Sequence, residues 1–434
     1  MDWLWNLDVI DGPLVWVLDG LSIAGLLYLV IRRSGLLWYL SAAIALLAGA
    51  LLALGTVWLV FDVLNLFGGP LIRSAEPWLI GVFAGISLAV LTICWRVSWQ
   101  RRVIAVACIL VFGATAALGV NGAYGVQTTL GSMFHVQNRK PITLVTPTST
   151  PTGDPARPLY ETWKPPADLP KTGRFGPLPT GDRIPNTNSG FNARPAQVYY
   201  PPAALVKDPP ALPFVLMMMG QPGDPDAKWI GEALDAIAAD HQGLAPIALV
   251  VDQLGDPSVD PLCIDGRYGK VETYVTQDVL PWAKANLHIL QSPKDWTVAG
   301  YSAGGSCAIY YGAKYPQTFG NVVSVSGEEY PGAGLPADNL RVMFNGDQNA
   351  YDAIKPATIM AKTTYVDTEA FFSAGTADAV YTDMMRRAAS TATAAGWKVQ
   401  TFAIPGGDHG ASSLTGGLDQ TLRALYPRIG LQRP

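Results

Sequence analysis

Charged side chains are scarce in this sequence. Asp, Glu, Lys and Arg make up 15% of its 434 residues, whereas hydrophobic residues make up 49%. Soluble globular domains carry about a quarter charged residues, so this composition is too apolar for an ordinary soluble enzyme. The apolar excess lies in the first 125 residues. The formal net charge of -4 also argues against a nucleic-acid partner, which would require a basic face.

Cysteine and histidine are rare as well, with four of each. No CxxC pair or His/Cys cluster suggests a metal site, and we expect neither a metal nor another cofactor. Cys94 and Cys108 lie in apolar segments, where a cysteine is most simply a small core residue. Cys263 and Cys307 could form one disulfide if their region faces an oxidising compartment. The sequence does not give their separation, so the pairing stays open at this point.

Long apolar runs dominate the start of the chain. A membrane-spanning helix needs about 20 mostly apolar residues, and four segments meet this requirement. They are Leu14–Ile31, Leu36–Phe61, Leu79–Val97 and Val103–Tyr124. A cleavable signal peptide is disfavoured, because Asp2, Asp8 and Asp11 stand where basic residues would be needed and further spans follow. Residues 1–125 are therefore predicted to form a transmembrane region with four helices.

The arginines between the predicted spans indicate the orientation of this region. The loops after the first and third spans are rich in arginine, whereas the loop between the second and third spans holds only Arg73. The arginines of the two rich loops are Arg32, Arg33, Arg96, Arg101 and Arg102. Because basic loops stay in the cytoplasm, we expect both termini outside. The rest of the chain would then be extracytoplasmic, on a multi-pass protein of the plasma membrane.

Two acidic residues fall within or beside these spans. Asp19 lies inside the first span and Asp62 at the end of the second. An ionisable group in a membrane is costly and often functional. We interpret Asp19 as facing a neighbouring helix and Asp62 as lying in the interface. The alternative is that both, with Arg73, line a polar path in a lipid flippase or transporter, for which the chain would have to form a homodimer.

Residues 126–172 are predicted to be a proline-rich linker or strap. Prolines alternate here with serine, threonine and glycine, which favours a stiff, extended segment. They are Pro141, Pro147, Pro151, Pro155, Pro158, Pro165, Pro166 and Pro170. Tyr160 and Trp163 suggest that part of the linker packs on another surface.

From residue 173 to 434 the pattern alternates strands with helices, which favours a mainly parallel sheet covered on both faces. The predicted strands are Gln197–Tyr200, Phe214–Met219, Ile247–Asp252, a strand starting at Trp296, Asn321–Ser326, Arg341–Asn345, Ala370–Ala374 and Val399–Ile404. The predicted helices are Asp226–Ala239, Val271–Leu287, Ala303–Lys314, Val380–Ala395 and Ser413–Tyr426. This order fits an α/β-hydrolase domain.

The strand that starts at Trp296 leads into Gly300-Tyr301-Ser302-Ala303-Gly304. A Gly-x-Ser-x-Gly sequence between a buried strand and a helix is typical of a nucleophile elbow, in which a sharp turn exposes the serine hydroxyl. The pentapeptide alone is a weak signal. The flanking strand and helix, and the partners found downstream, strengthen it. Ser302 is therefore the candidate nucleophile.

A serine hydroxyl needs an adjacent base, and His409 is the best placed histidine. It stands in the glycine-rich loop after the last predicted strand, whereas His135, His241 and His288 fit worse. An acid should lie between Ser302 and His409 and orient the imidazole.

Asp378 is our preferred candidate for that acid, because it follows the last strand before the histidine strand. Asp347, which follows the preceding predicted strand, is the alternative. Asp408 is interpreted as a turn residue.

An oxyanion hole needs two backbone N–H groups directed at the developing negative charge. One should be that of Ala303, directly after the nucleophile. The other should come from the loop after an early strand, Gly220-Gln221-Pro222-Gly223. Pro222 has no N–H, so Gln221 is the better donor.

In combination, these motifs are similar to the esterase D and antigen 85 family of α/β-hydrolases. The segments that carry the resemblance are Gly220–Gly223, Glu272–Tyr274, Asp278–Val279, Gly300–Gly305, Tyr315–Pro316, Gly375–Asp378 and Gly406–His409. The resemblance runs from about Gly173 to the C-terminus and implies a serine acyl hydrolase or acyltransferase with Ser302, Asp378 and His409 as its triad. The four-span front end resembles membrane-anchored actinobacterial members and is absent from the secreted mycolyltransferases.

The substrate is less well indicated than the reaction. A catalytic domain tethered to a membrane suggests a lipid ester. Glu328 and Glu329 follow the strand after the elbow helix and could receive a cationic amine, as in an aminoacyl ester of a phospholipid of the alanyl- or lysyl-phosphatidylglycerol type. A solvated surface pair is the simpler interpretation. The architecture also resembles bacterial aminoacyl-lipid hydrolases, and acyl transfer of the mycolyltransferase type stays open.

Overall fold

The computed structural model describes residues 2–32, 35–64, 71–134, 136, 141–142, 157–178 and 184–433. These residues divide into two compact units, Met1–Asn138 and Arg139–Pro434. Arg33, His135 and most of the proline-rich linker, on which predictions were made above, lie outside the described residues.

The first unit contains four helices that are long and apolar enough to cross a membrane. They are α2 (Pro13–Val30), α3 (Leu36–Val57), α4 (Glu76–Cys94) and α5 (Trp99–Tyr124), with short helices α1 (Asp2–Trp5) and α6 (Leu130–Met133) at either end. Helix α3 continues as a π-helical turn over Trp58–Val63. The prediction of four apolar helices is therefore confirmed, with bounds shifted by a few residues.

Helix α5 packs against α2 and α4, and α4 packs against α3. Trp38, Leu88 and Phe112 lie in the shared core of this bundle. Among the described residues, the exposed large hydrophobic side chains all precede residue 137 except Leu335, Val366 and Val380. An apolar outer surface of this kind suits lipid rather than water.

The polar groups predicted for this region occupy different surroundings. Asp62 and Arg73 are exposed, whereas Asp19 is partly buried. One carboxylate oxygen of Asp19 is buried without a hydrogen-bond partner in the part of the chain that the structure describes. The Ser22 hydroxyl on α2 and the Thr115 hydroxyl on α5 form a hydrogen bond of 2.8 Å. Of the three candidates for a polar path, only Asp19 is partly buried.

An eight-stranded sheet organises the second unit. Its strands are β1 (Arg174–Pro177), β2 (Gln197–Tyr200), β3 (Phe214–Met218), β4 (Ile247–Val251), β7 (Trp296–Tyr301), β8 (Asn321–Val325), β9 (Glu369–Gly375) and β10 (Lys398–Ile404), and a separate hairpin holds β5 (Asp265–Gly266) and β6 (Gly269–Lys270). The order across the sheet is β1-β2-β4-β3-β7-β8-β9-β10. Strand β2 runs antiparallel to both of its neighbours, β1 and β4, and the remaining pairs of the described sheet are parallel. The α/β-hydrolase fold is confirmed.

Helices flank this sheet. They are α7 (Leu159–Thr162), α8 (Lys228–Asp240), α9 (Val271–Thr273), α10 (Leu280–Asn286), α11 (Ala303–Lys314), α12 (Pro336–Phe344), α13 (Gln348–Ala353), α14 (Pro356–Met360), α15 (Ala379–Ala394) and α16 (Ala411–Leu425). The predicted helix Val271–Leu287 contains a π-helical segment, Tyr274–Val279, between α9 and α10. The end of the linker packs on this unit, because the Trp163 indole donates to the Gln242 carbonyl at 3.0 Å.

The prediction of a strand over Arg341–Asn345 is wrong. The segment belongs to α12, which begins at Pro336 and ends before Asn345, a residue with φ of 52°. Strand β8 pairs directly with β9, so no further strand can lie between them in the sheet. Proline at the first turn and a left-handed residue just after the end are common helix boundaries. With α13 and α14, this helix forms a helical insertion at residues 336–360.

Strands β3, β4, β7, β8, β9 and β10 run parallel, so their carboxyl ends lie along one edge of the sheet. Ligands of open α/β sheets bind outside that edge. The loops that begin at Met219, Ser302, Ser326, Thr376 and Pro405 all leave from it. The fold thus gathers the loops that carry the predicted functional residues.

Candidate active site

Ser302 stands at a sharp turn between β7 and α11. Its backbone has φ of 54° and ψ of -121°, a conformation that L-residues rarely adopt. The Ser302 N–H donates to the Val325 carbonyl at 3.0 Å, which ties the turn to β8. A Cβ on Gly300 would overlap Gly304, and a Cβ on Gly304 would overlap the Met218 carbonyl group. The turn therefore requires both glycines, and its strain is typical of a functional site.

Replacing Gly304 by alanine is expected to destabilise the second unit. The new methyl group would have to displace the backbone of β3, so we expect a loss of at least about 2 kcal/mol, within the range seen for overpacked cores. Thermal unfolding of the variant should show a clearly lower midpoint. Gly266→Ala is the matched control, because its methyl group would meet only the Met343 side chain at 3.6 Å. An unchanged midpoint in Gly304→Ala would contradict the described turn.

The fold brings Ser302, His409 and Asp378 together. Ser302 Oγ lies 2.8 Å from His409 Nε2, and His409 Nδ1 lies 3.1 Å from Asp378 Oδ2. The imidazole can therefore accept the hydroxyl proton at one nitrogen while the carboxylate holds the other. Such a relay activates a serine for attack on a carbonyl.

Backbone hydrogen bonds fix the acid loop against the histidine loop. The Ala377 N–H donates to the Gly407 carbonyl at 2.9 Å, and the Gly406 N–H donates to the Thr376 hydroxyl at 2.8 Å. The other carboxylate oxygen of Asp378 accepts from the Tyr381 N–H at 3.2 Å and so caps α15. Asp378 is held at both oxygens, which leaves its side chain little freedom.

Two tyrosine rings hold the imidazole of His409. Tyr381 stacks on it with ring centroids 3.6 Å apart, and Tyr301 stacks at 5.6 Å. The Tyr381 hydroxyl also interacts with the Ser302 side chain. Burial, followed by the negative charges of Glu328 and Asp378, raises the pKa of Tyr381, so its hydroxyl remains protonated at neutral pH.

The two predicted oxyanion donors, Gln221 and Ala303, belong to segments that adjoin Ser302. Ala303 is the first residue of α11, and the first N–H groups of a helix have no partner within it. Gln221 follows Gly220, and a Cβ on Gly220 would lie 3.0 Å from the Ser302 Cβ. The backbone of the loop after β3 therefore passes directly beside the nucleophile.

Polar side chains hold that loop in place. Arg194 donates to the Gly223 carbonyl at 2.9 Å and forms ion pairs with Asp224 and with the buried Asp252, each at 2.7 Å. Gln253 donates to the Met219 carbonyl. Sequence reasoning missed this support, because Arg194 and Asp252 are far apart in the chain and neither belongs to a local motif.

The two glutamates nominated from the sequence have different partners. The Glu329 carboxylate is paired with Arg387. Glu328 is not part of that ion pair; its Oε1 accepts from the Gly334 N–H at 3.2 Å. Glu328 and Asp260 both lie close enough to Tyr381 to raise its pKa. Asp260 was not identified from the sequence, because no motif surrounds it.

The alternative residues lie elsewhere. Asp347 is exposed and caps α13 by accepting from the Ala350 N–H. His241 contacts the Ile237 carbonyl and the Tyr426 ring. Burial lowers the pKa of His288, which precedes the nucleophile strand. Asp408 is buried and accepts from the Ser412 hydroxyl at 3.2 Å.

Cys263 and Cys307 form a disulfide with their Cα atoms 5.5 Å apart. The bond joins the loop that carries Asp260 to α11, the helix that begins after the nucleophile. No group of three or more potential metal ligands occurs among the described residues.

A protein-family model named Esterase matches residues 192–416, just over half of the chain. The chain belongs to the Esterase family. The match includes the elbow, the acid loop and the histidine loop, so this esterase-family hydrolase retains the region in which Ser302, Asp378 and His409 meet.

Similar proteins share one or both parts of this esterase. An uncharacterized protein of Corynebacterium glutamicum is 28% identical over 401 residues, covering 89% of each chain. The part of this chain outside the match, about a tenth, has fewer residues than the first unit. The match therefore includes part of each unit.

Among solved structures, a ferulic acid esterase is 16% identical with a TM-score of 0.49 and covers 60% of this chain and 99% of its own. An S-formylglutathione hydrolase from Agrobacterium tumefaciens is 16% identical with a TM-score of 0.45 and covers 56% and 98%. FphF, a fluorophosphonate-binding serine hydrolase of Staphylococcus aureus, is 15% identical with a TM-score of 0.44 and covers 59% and 99%.

Proposed function

We propose that this chain is a serine carboxylic-ester hydrolase in which Ser302, His409 and Asp378 form the catalytic triad. The contacts from Ser302 Oγ to His409 Nε2 and from His409 Nδ1 to Asp378 carry this proposal. Ser302 Oγ attacks the ester carbonyl while His409 takes the hydroxyl proton. The alkoxide leaves with that proton as an alcohol, and an acyl-enzyme remains.

Deacylation repeats the sequence with water. His409 removes a proton from the water, the resulting hydroxide attacks the acyl carbonyl, and the proton returns to Ser302 as the carboxylic acid departs. Ala303 and Gln221 are the proposed donors to the oxyanion in both steps. Asp378 keeps the imidazole oriented and stabilises its charged form.

We further propose that the enzyme is anchored in the plasma membrane with its hydrolase unit outside. The four apolar helices and the arginine distribution support this placement. The disulfide between Cys263 and Cys307 also supports it, since disulfides persist in oxidising compartments.

A membrane anchor favours an ester that is itself part of the membrane, because tethering raises the effective concentration of a lipid substrate. The finer proposal is an aminoacyl ester of a phospholipid, of the alanyl- or lysyl-phosphatidylglycerol type. Glu328 supports it, because its charge lies close enough to Tyr381, whose ring stacks on His409, to raise the pKa of that tyrosine. Glu329 is paired with Arg387.

The test compares purified wild type with Ser302→Ala in detergent. Each is incubated with a lipid extract of the source membrane, and the lipid species are followed by mass spectrometry. Loss of one ester class with wild type only supports lipid-ester hydrolysis and names its substrate. If a small ester is cleaved but no lipid changes, acyl transfer to a second alcohol becomes the better proposal. If no ester is cleaved, the triad assignment fails.

Lipid movement through the membrane helices is the competing function, and the unpartnered oxygen of Asp19 is the observation that favours it. Asp19→Asn separates the two. Loss of lipid translocation in reconstituted vesicles with intact ester hydrolysis would support a transporter. Unchanged behaviour in both assays would leave the hydrolase as the function of the chain.

A further inference from the structure

The Glu328 carboxylate is held by one oxygen only. Oε1 accepts from the Gly334 N–H, in the loop that follows, at 3.2 Å. Oε2 is buried and has no hydrogen-bond partner in the described part of the chain. A buried oxygen without a partner is costly. A bound group that donates a hydrogen bond would remove that cost.

A second carboxylate, Asp260, lies close enough to the first to act on its charge. It raises the pKa of Glu328, although burial is the larger cause. The two loops are in contact, because a Cβ on Gly332 would lie 2.9 Å from the Leu262 side chain. Asp260 itself accepts from the Leu262 N–H at 2.9 Å. The disulfide at Cys263 anchors this loop to α11, so the two carboxylates are built into the fold.

The nearby cations are committed to other carboxylates. Arg387 pairs with Glu329. Lys355 pairs with Asp352 at 2.7 Å and lies over the rings of Tyr330 and Tyr351 at 4.8 and 5.0 Å. No lysine or arginine within the described ranges forms an ion pair with Glu328 or Asp260. Neither carboxylate therefore has a cationic side-chain partner among the described residues.

Tyr381 connects this pair to the nucleophile. Its ring stacks on His409, its hydroxyl interacts with Ser302, and the charges of Glu328 and Asp260 both act on it. Gly327, the residue before Glu328, packs against Gly305 near the start of α11, because a Cβ on Gly305 would lie 2.8 Å from the Gly327 Cα. Glu328 therefore lies close to the start of the helix that follows Ser302.

We propose that Glu328 and Asp260 form a subsite for a protonated primary amine carried by the substrate ester. An ammonium group has three hydrogen-bond donors and one positive charge, so it can satisfy Glu328 Oε2 and pair with both carboxylates. The inference rests on the proposed ester hydrolysis and adds the pair of residues that would receive the amine. A hard divalent cation would need six or more oxygen ligands, and no group of three acidic or histidine ligands occurs among the described residues.

The test measures the preference for an amine, as the ratio of kcat/KM between matched esters. L-alanine ethyl ester is compared with its N-acetyl derivative, and 2-aminoethyl butyrate with ethyl butyrate. We expect wild type to favour one amine-bearing ester at least about tenfold, corresponding to one charge-assisted hydrogen bond. Glu328→Gln and Asp260→Asn should each abolish that preference. A preference for L-alanine ethyl ester would place the amine on the acyl side of the substrate. A preference for 2-aminoethyl butyrate would place it on the alcohol side.

The matched control is Glu329→Gln, the adjacent glutamate whose carboxylate is paired with Arg387. This variant should keep the preference of wild type. Equal kcat/KM values within both ester pairs for wild type would overturn the subsite. A preference that survives both Glu328→Gln and Asp260→Asn would do the same, as would a preference that disappears after dialysis against a chelator.

A binding measurement separates failure of the subsite from failure of the hydrolase. L-alaninamide carries the amine without an ester, and calorimetry can follow its binding to Ser302→Ala. Two results together would support the subsite even if no ester is hydrolysed. L-alaninamide should bind to Ser302→Ala more tightly than N-acetyl-L-alaninamide does, and this binding should be lost in the double variant that also carries Glu328→Gln. Equal, unmeasurable binding of both amides would contradict it.

The pH dependence gives a second signature. Burial and Asp260 raise the pKa of Glu328 to about 7, and burial raises that of Asp260. The other charged or titratable groups around them are Tyr330, Tyr351, Tyr381, Glu329, Lys355 and Arg387. The Glu328 carboxyl is protonated below about pH 7, so the KM of the amine-bearing ester should rise as pH falls through 7. The KM of its N-acetyl derivative should lack this rise.

The raised pKa of Glu328 also affects the stability of the fold. Amine binding is expected to weaken at low pH, whereas the contribution of this carboxyl group to stability is greatest there. A carboxyl group whose pKa is higher in the folded state stabilises the fold at low pH, and that stability is lost as pH rises from about 4.5 through about 7. Glu328→Gln should therefore raise the unfolding midpoint of the second unit above pH 7 and leave it unchanged near pH 4. A lower midpoint at pH 8 would mean that Glu328 supports the fold instead of a ligand.

Discussion

Replacing Ser302 by alanine is expected to lower kcat for ester hydrolysis by at least about 10⁴-fold, with little change in folding. The variant removes the hydroxyl oxygen that lies 2.8 Å from His409 Nε2. Loss of the nucleophile in serine hydrolases leaves only the contribution of the oxyanion site and of substrate binding. Steady-state hydrolysis of a small chromogenic ester by purified protein measures the effect.

Ser306→Ala is the matched control for that variant. Ser306 lies one turn further along α11, where its hydroxyl donates to the Ala303 carbonyl at 2.7 Å. The control also removes one hydroxyl from the same helix, but it leaves the relay intact, so activity should stay within a few fold of wild type. Comparable losses in both variants would indicate damage to the helix rather than removal of a nucleophile.

Replacing Asp378 by asparagine is expected to lower kcat about 10⁴-fold while KM changes little. Asparagine can still cap α15, but it cannot stabilise a positively charged imidazole, and it can favour the wrong tautomer of His409. The loss should affect the chemical step because Asp378 acts through its contact with His409. Burst-phase kinetics with an activated ester would show that acylation itself is slow.

Asp347→Asn is the matched control for Asp378→Asn, because Asp347 is the alternative candidate for the acid in the sequence. Both aspartates follow predicted strands and both cap a helix, but Asp347 is exposed on the helical insertion. We expect wild-type kcat and an unfolding midpoint close to that of wild type, because asparagine caps a helix about as well as aspartate. A large loss of kcat in Asp347→Asn, with none in Asp378→Asn, would mean that the acid was assigned to the wrong loop.

The parts of the fold that were predictable are those coded by local sequence. Apolar runs of sufficient length define the membrane helices, and alternating strand and helix patterns define the parallel sheet. The elbow was readable because its two glycines and its serine lie within five residues. His409 and Asp378 were found by chain order, since parallel strands place their following loops at one edge.

The parts that failed or were missed depend on contacts between distant residues. The segment Arg341–Asn345 has the apolar pattern of a strand, but β8 pairs with β9 and leaves it only the role of a helix in the insertion. Asp260 and Glu328 lie on two loops that meet only in the folded chain, where the Leu262 side chain packs beside Gly332. No local pattern encodes either contact. Tyr381 carried a weak signal, because it lies three residues after Asp378 at the start of a helix.

Covalent labelling with a fluorophosphonate probe would show directly whether Ser302 is an activated nucleophile. Such a probe reacts with a serine only when a neighbouring base activates its hydroxyl. After digestion, mass spectrometry should place the adduct on Ser302 in wild type, and Ser302→Ala and His409→Ala should remain unlabelled. A wild-type protein that is folded but unlabelled at Ser302, or an adduct on another serine, would contradict the assignment of this chain as a serine ester hydrolase acting through Ser302.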